Sequence, residues 1–130
     1  MSHSNQSIVI HAAGDLRVEA RDVLEPGLGE ILVKMQAGGI CGSDLHYYQN
    51  GGFGPIKLRE PMVLGHEVSG KVAALGAGVK NIKIGQLVAV SPSRPCQSCA
   101  YCLKGQQNHC MHMQFYGCLL YTSDAADERH

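Results

Sequence analysis

Cys41, His66 and Glu67 supply a thiol, an imidazole and a carboxylate. Zinc takes that ligand set in centres that keep one coordination position open for water or substrate. His66-Glu67 alone would mean little, because a lone histidine is more often a core or loop residue than a ligand. Its weight comes from Cys41-Gly42-Ser43-Asp44-Leu45-His46 upstream and from Cys96, Cys99, Cys102 and Cys110 downstream. The second group, C-x2-C-x2-C-x7-C, places four soft sulfur ligands in one short segment, and tetrahedral zinc at about 2.3 Å from each sulfur satisfies all four. Such a centre has no free position, so its role is to fold a loop. Disulfides are the bland alternative, but cysteines this close in sequence seldom pair without strain. A redox Cys-x2-Cys opens a helix in a βαβ setting, which the surrounding pattern does not suggest. His109 and His112 lie near enough to compete as ligands, yet four cysteines already complete the tetrahedron.

The elements that must position these groups read as short strands joined by glycine turns. Ser7 to Ile10 and Leu16 to Ala20 flank Gly14-Asp15, a turn pair that supplies positive φ, and predict an opening hairpin. Glu30 to Ala37, with Ile31, Val33 and Met35 on one face, predicts a strand that delivers Cys41. Ser43 or Asp44 is expected to cap a short helix running through His46 and Tyr48. Gln49 to Pro61 reads as an irregular loop, Glu67 to Leu75 as a second strand ending at Gly76-Ala77-Gly78, and Ile84 to Val90 as a third. Many short strands and little helix predict a mainly β fold, a compact β barrel. Residues 1–7 read as a disordered lead-in, 8–117 as one domain, and 95–112 as a lobe within it, with almost no apolar periodicity of its own.

The 130 residues leave room for one domain, which buries roughly two thirds of the surface its unfolded chain exposes. Eleven basic residues balance eleven acidic ones, so no electrostatic footprint for nucleic acid or an anionic membrane exists, and neither partner is expected. No apolar run approaches the ~20 residues of a spanning helix, and the polar start lacks the apolar middle of a secretory signal. The cysteine spacing suits metal-bound thiolates in a reducing compartment, and a cytoplasmic location is expected.

Gly65-His66-Glu67-x2-Gly70-x5-Gly76-x2-Val79 matches, at every fixed position, the signature of zinc-containing alcohol dehydrogenases. Gly39 to His46 resembles the catalytic-zinc turn of that medium-chain dehydrogenase/reductase family, and Cys96 to Cys110 its structural-zinc loop. Asp44 to Tyr48, Pro61 to Leu64, Pro92 to Cys96, Asn108 to Cys110 and Met113 to Gly117 are most similar to the polyol-dehydrogenase branch. The resemblance runs from Ile8 to Gly117. It implies a GroES-like catalytic domain, a partial β barrel with a zinc-bound lobe, holding two zinc ions per chain. It implies that Cys41 and His66 ligate the catalytic zinc. Glu67 is similar to a carboxylate that either ligates directly or waits behind a water, and these residues do not decide between the two. Ser43 matches the hydroxyl that takes the substrate proton, His46 the outer end of that relay, and Asp44 the group that orients His66. Ser43 also reads as a mere helix cap. Zinc would lower the pKa of a bound alcohol by several units, so that hydride can leave to NAD or NADP. A small polyol or sugar acid as substrate and a homo-oligomeric full-length protein follow from the same resemblance.

Two departures accompany it. The dinucleotide-binding Rossmann domain of the family opens on Gly-x-Gly-x-x-Gly, and this chain has none; Gly76-Ala77-Gly78 lacks the third glycine. The chain is therefore expected to be an inactive fragment. Residues 118–130 resemble the translation of a sequencing adaptor and are set aside as non-native. The competing reading is a free-standing zinc-binding interaction module, against which stand zero net charge and the second constellation at Cys41, His66 and Glu67.

Overall fold

A computed structural model describes residues 4–116. The chain opens with an antiparallel hairpin, β1 (Ser4–Ala12) and β2 (Asp15–Asp22), in the register Ile8↔Val18 and Ile10↔Leu16, with a bulge before Ala12. β3 (Ile31–Gly38) leads to α1 (Gly42–Asn50). Three two-residue strands follow: β4 (Gly52–Phe53) and β5 (Ile56–Lys57), which pair with each other, and β6 (Met62–Val63), which pairs with β1. β7 (Val68–Leu75) pairs with β3 on one side and β8 (Leu87–Val90) on the other. β9 (Ser93–Arg94), α2 (Ala100–Leu103), a 3-10 turn (Gln107–His109) and β10 (Gln114–Phe115) complete the described chain.

The mainly β architecture with short helices is as expected, but among the described residues no sheet closes into a barrel. The strands form two three-stranded sheets, β2-β1-β6 and β3-β7-β8, and two separate pairs, β4-β5 and β9-β10. Five of the strands are only two residues long, too short to carry a ladder onward to a neighbouring sheet.

Each three-stranded sheet buries its own apolar cluster. Ile31 and Val33 of β3 meet Val68 and Val72 of β7 and Val90 of β8, while Ile10 of β1 and Met62 of β6 pack against Tyr47 of the first helix, with Phe53 and Leu64. Tyr47 meets the Phe53 ring edge-on at 5.6 Å, the T-shaped arrangement that aromatic quadrupoles favour.

Several local expectations are corrected. Strand β1 begins at Ser4, paired with Asp22, so residues 4–7 are not a disordered lead-in; Ser7 is buried because it shares the inward face of the strand with Val9, while Ile8 between them faces out. Residues 1–3 of that lead-in, and the supposed foreign tail at 118–130, lie outside the described residues. Met35 is 42% exposed although Ile31 and Val33 are buried. It sits opposite Gly70, which offers no side chain to pack on, and the register shifts immediately after it. The strand expected from Ile84 starts only at Leu87, because Gly85 and Gln86 are used in a turn against Val72 and Lys83. Gln49 to Pro61 is more regular than expected, since α1 runs to Asn50 and β4-β5 forms a small hairpin.

Gly70 in β7 shows why one position of the motif excludes other residues. A Cβ there would collide with the backbone carbonyl of Lys34 across the β3-β7 ladder.

Candidate metal centre

Strand β3 and the start of β7 are adjacent and antiparallel, so the segment leaving β3 and the segment entering β7 emerge together. Their contact is fixed by the Gly39 N–H donating to the carbonyl of Glu67 at 2.7 Å. A Cβ on Gly39 would meet the Glu67 carboxylate, so any larger residue at this crossing would push that side chain aside. Cys41 follows as the N-cap of α1, with extended backbone (φ −84, ψ 156), and His66-Glu67 stands immediately before β7.

This crossing brings the three expected ligands together. The sulfur of Cys41, a ring nitrogen of His66 and a carboxylate oxygen of Glu67 all lie within 4.8 Å of one another. Donors at zinc distances on a tetrahedron stand on the order of 3.5 Å apart, so small side-chain movements suffice to close on one ion. His66 is 5% exposed, Cys41 is half-buried and Glu67 is exposed. The site is therefore walled on the imidazole side and open on the carboxylate side.

Asp44 is buried behind it. One carboxylate oxygen, Oδ2, accepts from the N–H of Cys41 at 2.9 Å. The expected cap is thereby modified: Cys41 itself is the N-cap, and Asp44 reaches back from the first turn to its amide, the reciprocal half of a capping box. The other oxygen, Oδ1, is 3.7 Å from His66 Nδ1, too far for a hydrogen bond. Both atoms are buried without a hydrogen-bond partner. A buried carboxylate facing an unbonded imidazole nitrogen fits a ring that turns to ligate a cation through its other nitrogen and then donates from Nδ1 to Asp44. The donor set and these orphaned atoms fit zinc. Ser43 is half-buried beside Cys41; His46 is exposed, three residues further on the same side of the helix.

Sequence reasoning assigned no role to Phe115, yet its ring meets the His66 imidazole edge-on, centroids 5.4 Å apart at 65°. Phe115 is carried by β10, paired with β9 (Phe115↔Ser93). It lies in the Met113 to Gly117 segment that resembles the polyol-dehydrogenase branch, but that resemblance gave it no role; its place at the return from the cysteine lobe is the other hint that it comes back towards the chemistry.

In the lobe the sulfurs of Cys96, Cys99, Cys102 and Cys110 also lie within 4.8 Å of one another. All four, and Cys41, are free thiols, so the disulfide alternative does not describe them. Backbone amides point at the sulfurs: Cys96 N–H to Cys110 Sγ at 3.2 Å, Cys99 N–H to Cys96 Sγ at 3.3 Å, and His112 N–H to Cys110 Sγ at 3.3 Å. His112 thus contributes its amide to the cluster. The Ser98 hydroxyl and amide hold the Cys96 thiol down to about 5, hydrogen bonds from Cys102 lower Cys99, and burial pushes Cys102 up to about 12. Four sulfurs gathered this closely and met by backbone amides fit a cation that carries the charge of all four thiolates at once.

The family description "Alcohol dehydrogenase GroES-like domain" matches residues 27–126. Sorbitol dehydrogenase of Gallus gallus is 48% identical over 104 residues, which make up 80% of this chain and 29% of that protein. L-idonate 5-dehydrogenase (NAD(P)(+)) of Escherichia coli (strain K12) is 49% identical over 90 residues, 69% of this chain and 26% of that protein. The crystal structure of L-idonate 5-dehydrogenase from Escherichia coli str. K-12 superposes with a TM-score of 0.82 at 39% identity, covering 98% of this chain and 36% of that one. The chain thus spans under a third of the length of the curated relatives it matches. With the family match taking in most of the sequence, and both zinc-type clusters carried on a shared fold, the protein belongs to the alcohol dehydrogenase GroES-like domain family.

Proposed function

We propose that the chain is the metal-binding catalytic portion of a zinc-dependent, NAD(P)-linked dehydrogenase that oxidises a secondary alcohol of a polyol or sugar acid to a ketone. The observation that carries this reading is the approach of the Cys41, His66 and Glu67 donor atoms to within 4.8 Å of one another beside a half-buried serine. Cys41 and His66 would hold the catalytic zinc with the exposed Glu67 carboxylate as a third donor, leaving one position open for the alcohol. Zinc in such an open site polarises an alcohol oxygen and brings its pKa towards neutrality. The reaction takes a hydride from the carbinol carbon to NAD(P)+ and a proton from its oxygen. The chain's own residues handle the proton: Ser43 Oγ receives it, and the exposed His46 passes it to water. Asp44 keeps the imidazole in register, and the four-cysteine lobe holds a second, structural zinc.

Sorbitol and L-idonate are the substrates that the relatives' names suggest. Free thiols at all five described cysteines support a reducing, cytoplasmic location. Among the described residues no helix is long and apolar enough to cross a membrane. By analogy with the family, the full-length protein is a homo-oligomer and carries its nicotinamide site beyond this chain. The family match enters the 118–130 stretch as far as residue 126; resequencing the source locus decides whether that stretch is native.

Metal analysis of the purified chain tests the reading. Two zinc ions are expected, one removed readily by a chelator because its site is open; a single tightly held ion would favour the interaction module instead. The product of the complete gene is expected to reduce NAD+ or NADP+ with sorbitol or L-idonate and to lose that activity in Cys41→Ser. The chain alone is expected to show no turnover, and turnover by it would overturn the fragment reading.

A further inference from the structure

The two clusters are joined by a short stem. β9 ends at Arg94 and β10 begins at Gln114, and the stem they make has only two residue pairs, Gln114↔Arg94 and Phe115↔Ser93, extended by the Tyr116 N–H donating to the Pro92 carbonyl at 3.0 Å. A two-stranded ladder this short does not hold itself together in water. The lobe it brackets offers little help, since Cys99 and Cys102 are its only buried side chains. What does close the lobe is the sulfur cluster: Cys96 lies just past β9 and Cys110 just before β10, and they are linked by the 3.2 Å Cys96 N–H to Cys110 Sγ contact.

At the other end of the stem, Phe115 lies edge-on against His66. Because His66 Nδ1 has no hydrogen bond, no polar contact at that nitrogen fixes the ring's rotation. The Phe115 ring and the carboxylate of Asp44 are two of the neighbours the imidazole turns against.

We propose that the four-cysteine centre controls the open centre through Phe115: closing the lobe sets the β9-β10 stem, and the stem holds the Phe115 ring where it orients His66 for ligation. Phe115 is then a positioning residue, and a centre with no open coordination site acquires a second role as the clamp of the reactive one. The inference rests on the reading of two zinc centres given above.

The test uses the 130-residue chain with labelled histidines. One equivalent of zinc fills the closed centre first, and His66 ring signals are followed by nuclear magnetic resonance before the open centre is loaded. In the wild type the His66 signals are expected to shift on that first equivalent; in Phe115→Leu they should not. Cobalt(II) is then titrated into the open centre, where its d–d absorption reports ligand geometry. Phe115→Leu should bind cobalt roughly three- to tenfold more weakly, the size of one aromatic edge contact, with an altered band shape. Phe115→Tyr, which keeps the ring, should restore both. Equal cobalt affinity in wild type and Phe115→Leu would overturn the proposal, and so would His66 signals in the wild type that ignore the first zinc. The latter measurement needs no variant to fold. Failure to bind any metal would overturn the two-centre reading and this inference with it, whereas metal binding without coupling would overturn only the inference.

Discussion

Asp44 is one carboxylate with two duties: Oδ2 accepts from the Cys41 amide, and Oδ1 faces His66 Nδ1. Asparagine keeps the shape and one carbonyl acceptor, so it can still cap Cys41, but it replaces the anionic oxygen next to the imidazole by an amide. Asp44→Asn is therefore expected to weaken zinc at the open centre by roughly ten- to a hundredfold while leaving the four-cysteine centre unchanged. Competition with a graded series of chelators separates the two affinities, and equal loss at both centres would point to general unfolding instead. The link from Asp44 to His66 was legible only through the family resemblance, since the two residues stand in separate segments of the sequence. Its grip on the Cys41 amide was not, since nothing in the spelling says that Cys41 is itself the cap. Phe115 was invisible for a related reason: an isolated aromatic acquires its meaning from a partner far away in sequence, here His66.

Elements position the site through close backbone approach. Gly70→Ala forces a Cβ against the Lys34 carbonyl in the middle of the β3-β7 ladder. A loss of roughly 1–3 kcal/mol is expected, as for an overpacked interior, read as a lower urea midpoint with unchanged slope. A midpoint equal to the parent's would mean that the ladder yields at that point. The lobe responds differently, because thiols rather than apolar side chains hold it. Cys102→Ser should strip amide-exchange protection from residues 96–112 and leave the β3-β7-β8 amides as they were. Loss of protection in both regions would show that lobe and sheet unfold together. The strand that delivers Cys41 was readable from the alternation of Ile31 and Val33, and β7 from the glycine-punctuated motif. The strand start at Ser4 was not, because Ser4, Asn5 and Ser7 carry no hydrophobic period, and backbone pairing with β2 decides their conformation.

Across the whole molecule, the two clusters sit on different supports. The open one lies where the β3-β7-β8 sheet ends, and the closed one lies in a lobe attached by two strands. The convergence of Cys41, His66 and Glu67 was foreseeable from their spacing in a known signature, since residues that share a centre tend to be spelled in fixed phrases. Whether the strands close into a barrel depends on pairings between distant segments, which local alternation does not encode, and there the expectation of closure failed. The stem of β9 and β10 suggests that the cysteine lobe is a replaceable part. If its contribution is to bring two strand ends together, a tight hairpin turn grafted between Arg94 and Gln114 should do the same without any ion. In such a shortened protein the open centre is expected to bind cobalt with the parent's affinity and band shape, now with no need of a first equivalent of metal in a second centre. A shortened protein that folds but binds cobalt only weakly would show that the lobe supplies something more than closure.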